Sequence, residues 1–389
     1  MSDLFPPVDF VDFHRSRIPD LLSGNGSLAG RDIADQAPLG LRVGDDAFTY
    51  VPEGGSVRLA EGTDRAGAVV TLDAGAWSDF AHELASAFAL AIGERVDFGE
   101  GELDLLARWE PALRAIWHGR PIYDDEAAAA VADLDLTQSF TPDQTDEITA
   151  FIARAGFVHV RGVFSADEME RAADEVERLK ADATFDDNRS WWAKNSAGDD
   201  VCCRLIYAGE RSPYLKEITG DDRIRKLVEL TGADVRQRND RLDGESVVIK
   251  NPDVVEGLSD LPWHRDCGMG GHPVICPGIN VGIQIDAATE ENGRLRFLAG
   301  THQSSSHYPS NRDLERWPVQ GVTTERGDLT LHFGHVLHEA PPPAGRLGSL
   351  ERGRRTQYST WVNPVAFDVV DPGHGYNDSV LAKRGRVDL

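Results

Sequence analysis

Positive charge is scarce in this 389-residue chain: 40 Lys and Arg stand against 65 Asp and Glu, a formal net charge of -25. Binding a phosphate backbone requires clustered cations, so no nucleic-acid partner is expected, and the acidic balance says little more. Cysteine is scarce too. Cys202 and Cys203 are adjacent, Cys267 and Cys276 stand apart, and the four form neither a disulfide framework nor a CxxC zinc pattern. A reducing cytoplasm is the expected setting. No apolar run approaches the roughly 20 residues that span a bilayer, and the stretch from Met1 to Phe10 lacks a basic region followed by an apolar core, so membrane insertion is not expected. The length predicts two domains, each able to bury a core, and leaves room for self-association.

What is present centres on Pro262-Trp263-His264-Arg265-Asp266. Residues two apart on a strand point to one side, so His264 and Asp266 offer an imidazole and a carboxylate to one point while Arg265 faces away. A second imidazole from a distant strand would complete the 2-His-1-carboxylate face of non-haem Fe(II) oxygenases. His338 follows Gly327-Asp328 by ten residues and is the candidate, with His332 and His335 as close competitors in the same run. A His-x-Asp alone is more often a surface ion pair or a satisfied core histidine than a metal site. A protein-kinase loop is excluded, because Gly271 stands where that motif needs Asn and no Asp-Phe-Gly follows.

The segment from Asn280 through Asp286, Asn292-Gly293 and Gly300-Thr301-His302, then Gly327-Asp328, then Arg354-Arg355 with Trp361, resembles the phytanoyl-CoA dioxygenase family, which includes ectoine hydroxylase. The likeness runs from about Thr137 to about Asn363. It implies a double-stranded β-helix (jelly roll), His264, Asp266 and His338 as iron ligands, and Fe(II), 2-oxoglutarate and O2 as cofactor and cosubstrates. Relatives that halogenate replace the carboxylate with a small residue, so Asp266 implies hydroxylation of an unactivated C–H bond or another oxidation without halide. The distal carboxylate of 2-oxoglutarate needs a cation that can grip it with paired hydrogen bonds. Arg354 and Arg355 compete, on opposite strand faces; Trp361 stands seven residues after Arg354, the family's spacing, which favours Arg354. Lys250 is a further 2-oxoglutarate contact that the resemblance suggests, with a plain surface lysine as the equal alternative. The loop Glu339-Ala340-Pro341-Pro342-Pro343 and onward is longer than the family's and blurs the arginine alignment.

The fold expected is α+β, with a smaller α+β domain over residues 1–135 and a jelly roll with covering helices over 136–389. In the first, short alternating runs Ala47–Val51, Ser56–Ala60 and Ala66–Leu72 predict a small antiparallel sheet. Phe80, Leu84, Phe88 and Ile92 predict one amphipathic helix, and Leu103, Leu106, Leu113 and Trp117 another around Pro111. This order loosely resembles sterol-carrier-like modules, the alternative being an accessory or dimerisation domain. The Ala-rich stretch Asp124–Asp135 reads as the connection. Thr141 to Gln144 and Ser165 to Glu168 are two capping boxes opening helices. Between them and the metal motif, Trp192, Arg204 and Tyr207 are candidate substrate contacts, with plain packing as the alternative; Cys267 to His272 reads as a mobile lip, or an ordinary surface loop. Two other functions fit the same residues: a zinc hydrolase that activates water, and a lipid-binding protein without turnover.

Overall fold

Short β-rich runs and amphipathic stretches in the first 120 residues build a sheet with helices on it. The computed structural model describes residues 4–98, 102–238, 245–251, 254–256, 261–269, 274, 278–342 and 354–369. Strands β1 (Leu39–Val43), β2 (Asp46–Glu53), β3 (Ser56–Glu61), β4 (Ala68–Leu72) and β5 (Val96–Asp97) form a sheet in the order β3-β2-β1-β4-β5, with β1 and β4 parallel. The helices Ile18–Gly30 and Glu102–His118 pack on it. Their shared core is aromatic: Tyr50, Trp77, Trp109 and Trp117 are each at most 5% exposed. The single helix expected through Phe80 and Ile92 is two, Ala74–Ala81 and Ala87–Ile92. The break has a cause in the polar residues between the apolar positions. Glu83 turns back into left-handed backbone (φ 58°) to receive Arg120, and Ser86 caps the second helix through Ala89 N–H.

The second part carries β6 (Phe157–Val160), β7 (Ser190–Asn195), β8 (Asp200–Leu205), β9 (Arg236–Arg238), β10 (Ser246–Lys250), β11 (Val254–Glu256), β12 (Leu261–His264), β13 (Ile279–Gln284), β14 (Arg296–Leu298), β15 (Val319–Gly321), β16 (Leu329–Phe333), β17 (His338–Ala340) and β18 (Arg354–Val362). They form a large sheet in the order β11-β7-β8-β10-β18-β13-β16-β6, with β9 beside β18, and a small one in the order β12-β17-β14-β15. The sheets face each other, Phe157 of β6 stacking on Phe297 of β14 with centroids 4.5 Å apart. This is the expected jelly roll. Alternation sorts the large sheet cleanly. Val247, Ile249, Ile279, Val281, Ile283, Leu329 and Leu331 face outward into the core beneath the helix Ala166–Ala181, whereas Asn280, Gln284, Thr330, His332, Thr356 and Tyr358 face inward.

Local signals were met unevenly. Ser165 and Glu168 make the full capping box, but Thr141 and Gln144 make only half of one, and that helix starts later, at Thr145. Gly156 ends it in left-handed backbone (φ 85°), as its position predicts. The Ala-rich stretch is packed rather than loose: the Tyr123 hydroxyl donates to Ala299 O at 2.8 Å, and Val131 is part of the large core. The lip beyond Met269 and the proline loop beyond Pro342 lie outside the described residues.

His14 gives the first part a measurable pH dependence. It is fully buried, its Nδ1–H donates to Phe10 O at 2.7 Å and its Nε2 accepts from the Tyr50 hydroxyl at 2.9 Å, so it is neutral, and burial drops its pKa to about 4. Above pH 6.5 both folded and unfolded states are neutral. Below it the unfolded chain takes a proton that the fold refuses, and stability falls by about 2 kcal/mol on reaching pH 5. Denaturant titrations at pH 7 and pH 5 should show that loss and its flattening in His14→Gln; equal slopes in both proteins would contradict it.

Candidate metal centre

Residues 261–266 and 336–340 are brought together by the small sheet. His264 and His338 are direct partners across β12 and β17, so their rings share one side, with centroids 4.2 Å apart. Asp266 follows two residues later, its N–H bonded to Gly334 O at 2.9 Å. One ligand atom from each of His264, Asp266 and His338 lies within 4.8 Å of the others. The imidazoles are set for a metal. The His264 Nδ1–H donates to Pro262 O at 2.7 Å and the His338 Nδ1–H to Val336 O at 3.0 Å, and since a carbonyl only accepts, each Nε2 keeps its lone pair. Those Nε2 atoms stand 3.5 and 3.4 Å from the Asp266 carboxylate. Adjacent ligands of one octahedral ion with bonds of about 2.1 Å are roughly 3 Å apart, so the residues fit a divalent metal.

Asp266 is also held from behind. Asn280 Nδ2 donates to its Oδ2 at 2.5 Å and His332 Nε2 approaches the same oxygen at 3.1 Å. Burial pushes its pKa up, but His338, His264 and His332 outweigh that and hold it well below the carboxylate range. Burial lowers the His338 pKa to about 3. Of the competing histidines, His335 points away to Val274 O, and His332 serves the carboxylate instead of joining the group. Asn280 and His332 were missed as supports in the sequence. Their signal was there: both sit at polar positions of strictly alternating strands, directly opposite each other.

The first part of the chain meets the metal loop. Ser86 donates to Gly268 O through both its N–H at 3.1 Å and its hydroxyl at 2.9 Å. Gly268 needs left-handed backbone (φ 86°), and a Cβ there would sit 2.3 Å from Val274. Arg265 faces away from the site, as expected, and donates to Ser304 O, Thr301 O and Ser306 Oγ.

The two arginines separate as their strand faces require. Arg355 points outward, bonded to Asp286 at 2.7 and 2.9 Å and to Glu177 at 3.0 Å; burial works against its charge, but these carboxylates prevail and its pKa is raised. Arg354 points inward and is 2% exposed. It bonds only Thr356 Oγ1 and Gly293 O, its Nε has no partner, and burial pulls its pKa down. Among the described residues no carboxylate lies within 4.0 Å of it, so the arrangement fits an anionic ligand. Lys250 lies opposite Arg354 on β10 and bonds Ala340 O and Pro341 O. The substrate candidates diverge. Arg204 lies on the inward face opposite Val248, but Trp192 stacks on Phe185 on the side of Cys202, and Tyr207 is packed with Ile206 and Cys203. Trp191, opposite Arg204, holds the inward position and Trp192, next along the strand, the other side; the bulge between these two pairs leaves Cys203 of β8 as the extra residue.

Two imidazoles and a carboxylate at one mouth of a jelly roll, with a buried arginine free to receive an acid, define the non-haem Fe(II), 2-oxoglutarate-dependent oxygenases as a class. Residues 152–346, half of the chain, match the phytanoyl-CoA dioxygenase (PhyH) family, and the chain belongs to it. It is therefore an Fe(II) dioxygenase that uses 2-oxoglutarate and O2. A protein of Stutzerimonas stutzeri described as a probable alpha-ketoglutarate-dependent hypophosphite dioxygenase is 24% identical over 207 residues, 48% of this chain and 69% of that one. Among solved structures, EctD from S. alaskensis with bound Fe is 18% identical over 69% of this chain and 92% of its own, with a TM-score of 0.48. AviO1 from Streptomyces viridochromogenes Tue57 is 22% identical over 57% of this chain and 96% of its own, with a TM-score of 0.45. No helix among the described residues is long and apolar enough to cross a membrane.

The arginines should separate in solution. Arg354→Ala is expected to weaken anaerobic binding of 2-oxoglutarate to the Fe(II)-loaded protein by a few hundredfold or more, about 3–5 kcal/mol, with little change in stability. Arg355→Ala is expected to lose about 3 kcal/mol of stability by stranding Asp286, while keeping affinity. Calorimetric binding and denaturant titrations of both variants check this; the reverse pattern would exchange their roles.

Proposed function

We propose that this dioxygenase hydroxylates an unactivated C–H bond of a small organic substrate in the space between the two sheets. The observation that carries the reading is the carboxylate of Asp266 beside two imidazoles, since it takes the place that a halide would need. When bound, Fe(II) with 2-oxoglutarate and O2 supplies a two-electron oxidation of a C–H bond, 2-oxoglutarate leaving as succinate and CO2.

The chain's own groups divide the remaining work. His264, Asp266 and His338 hold the metal, and Asn280 and His332 keep the Asp266 carboxylate oriented and ionised. Arg354, aimed by Thr356, grips the distal carboxylate of 2-oxoglutarate. Lys250 acts one step back: its bonds to Ala340 O and Pro341 O fix the segment that leaves His338. Phe157 and Phe297 close the wall beside His332 and His338 and exclude water there. The first part of the chain serves as a buttress, through Ser86, for the turn after Asp266. This supports an accessory role for it.

The Fe(II)-loaded protein should convert 2-oxoglutarate to succinate with equimolar uptake of O2. His264→Ala and His338→Ala should lose iron and succinate formation together, and His335→Ala should keep both. Succinate formation that persists without O2, or full iron occupancy in His338→Ala, would overturn the reading.

A further inference from the structure

Arg204 is the second guanidinium on the inward face that the described residues leave without an acid. Several other arginines of the jelly roll have one: Arg189 has Glu210, Arg223 has Asp221 and Glu168, Arg296 has Glu339, Arg326 has Glu170, and Arg355 has Asp286. Arg204 donates one side-chain bond, from Nη2 to Ser246 Oγ at 3.1 Å, and its Nε is buried with no partner. Its guanidinium lies over Trp191, 4.5 Å from the ring centroid. Trp191 is fully covered, so its ring is a platform beneath the guanidinium.

The guanidinium edge opens on the same space as the metal. Arg204 lies opposite Val248, and Val248 opposite Thr356, so all three share the inward face with Tyr358. Two strand spacings, about 10 Å, separate β8 from β18. Tyr358 lies between the groups. Burial raises its phenol pKa, Arg354 and Arg204 draw it back, and Asp266 adds to the rise; its hydroxyl finds no hydrogen-bond partner among the described residues. One dicarboxylate cosubstrate, gripped at Arg354 and bound at the metal, leaves Arg204 unused.

We propose that the substrate carries an oxyanion, a carboxylate or a phosphorus oxyacid, which docks on the edge of Arg204 with the Tyr358 hydroxyl as neighbour and so fixes which C–H bond faces the metal. This rests on the oxygenase reading. A guanidinium over an indole can offer paired N–H donors, which an oxyanion receives most strongly. Lysine in that place would keep the charge and lose the fork.

The test titrates inorganic phosphate and, separately, acetate into the full chain loaded with Fe(II) and saturating 2-oxoglutarate without O2, by calorimetry. One of the two is expected to bind the wild type, which identifies the class of acid. Its affinity should fall tenfold or more in Arg204→Gln and less in Arg204→Lys, and stay unchanged in the surface variant Arg294→Gln. The affinity of Arg204→Gln for 2-oxoglutarate should match the wild type and so certify its fold. Anion binding that survives Arg204→Gln, or a wild type that binds 2-oxoglutarate but neither anion, overturns the proposal alone. Loss of 2-oxoglutarate affinity in Arg204→Gln would move Arg204 to the cosubstrate site and also overturn it. A wild type that binds no 2-oxoglutarate removes the oxygenase reading and the proposal with it.

Discussion

Burying the carboxylate of Asp266 is the constraint on which the rest of the structure depends. An ionised carboxylate taken from water costs several kcal/mol unless charge and hydrogen bonds are returned to it. Asn280 and His332 return bonds from the large sheet, and His264 and His338 stand beside it on the small one, where a divalent metal held by the three residues would return charge. The two sheets are therefore tied at one point by polar contacts as well as by the stacked Phe157 and Phe297. The backbone around Asp266 is fixed to match: Gly334 O accepts from both Asp266 and Cys267, and Gly268 turns the chain where Ser86 can catch its carbonyl.

The large sheet inverts the usual economy of a β-sandwich. Its outward face is apolar and covered by helices, with Arg355, Gln357 and Ser359 as polar exceptions that bond to the covering helices or to Asp286. Its inward face carries Arg354, Lys250, Gln284, Thr356, Tyr358, Asn280 and His332. Such a face is tolerable only when its groups have partners or ligands. Gly282 shows how tightly that interior is shaped: a Cβ there would stand 2.7 Å from Thr330 Oγ1 and 3.3 Å from the Tyr358 ring.

Much of this was legible because strands keep strict phase. His264 and Asp266 on one side, Arg265 on the other, and Arg354 inward with Arg355 outward follow from a period of two, and the structure places them so. The illegible parts are where phase breaks. An extra residue, Cys203, breaks the phase of β8 between Arg204 and Cys202, and only the pairing of Trp191 with Arg204 shows that Trp191 and not Trp192 faces the interior. A helical stripe through Phe80, Leu84 and Phe88 hides the turn at Glu83, because its cause, Arg120, lies 37 residues away. The supports of Asp266 come from β13 and β16, and only their pairing reveals that Asn280 and His332 meet it.

The most direct measurement is an anaerobic titration of the apoprotein followed by visible absorption. A keto acid chelated to Fe(II) gives a metal-to-ligand charge-transfer band that neither partner gives alone. The band should appear only when Fe(II) and 2-oxoglutarate are both present, saturate at one equivalent of each, and be absent in Asp266→Ala. Tight metal binding with no such band at saturating 2-oxoglutarate would contradict it, and would return the site to a metal that activates water.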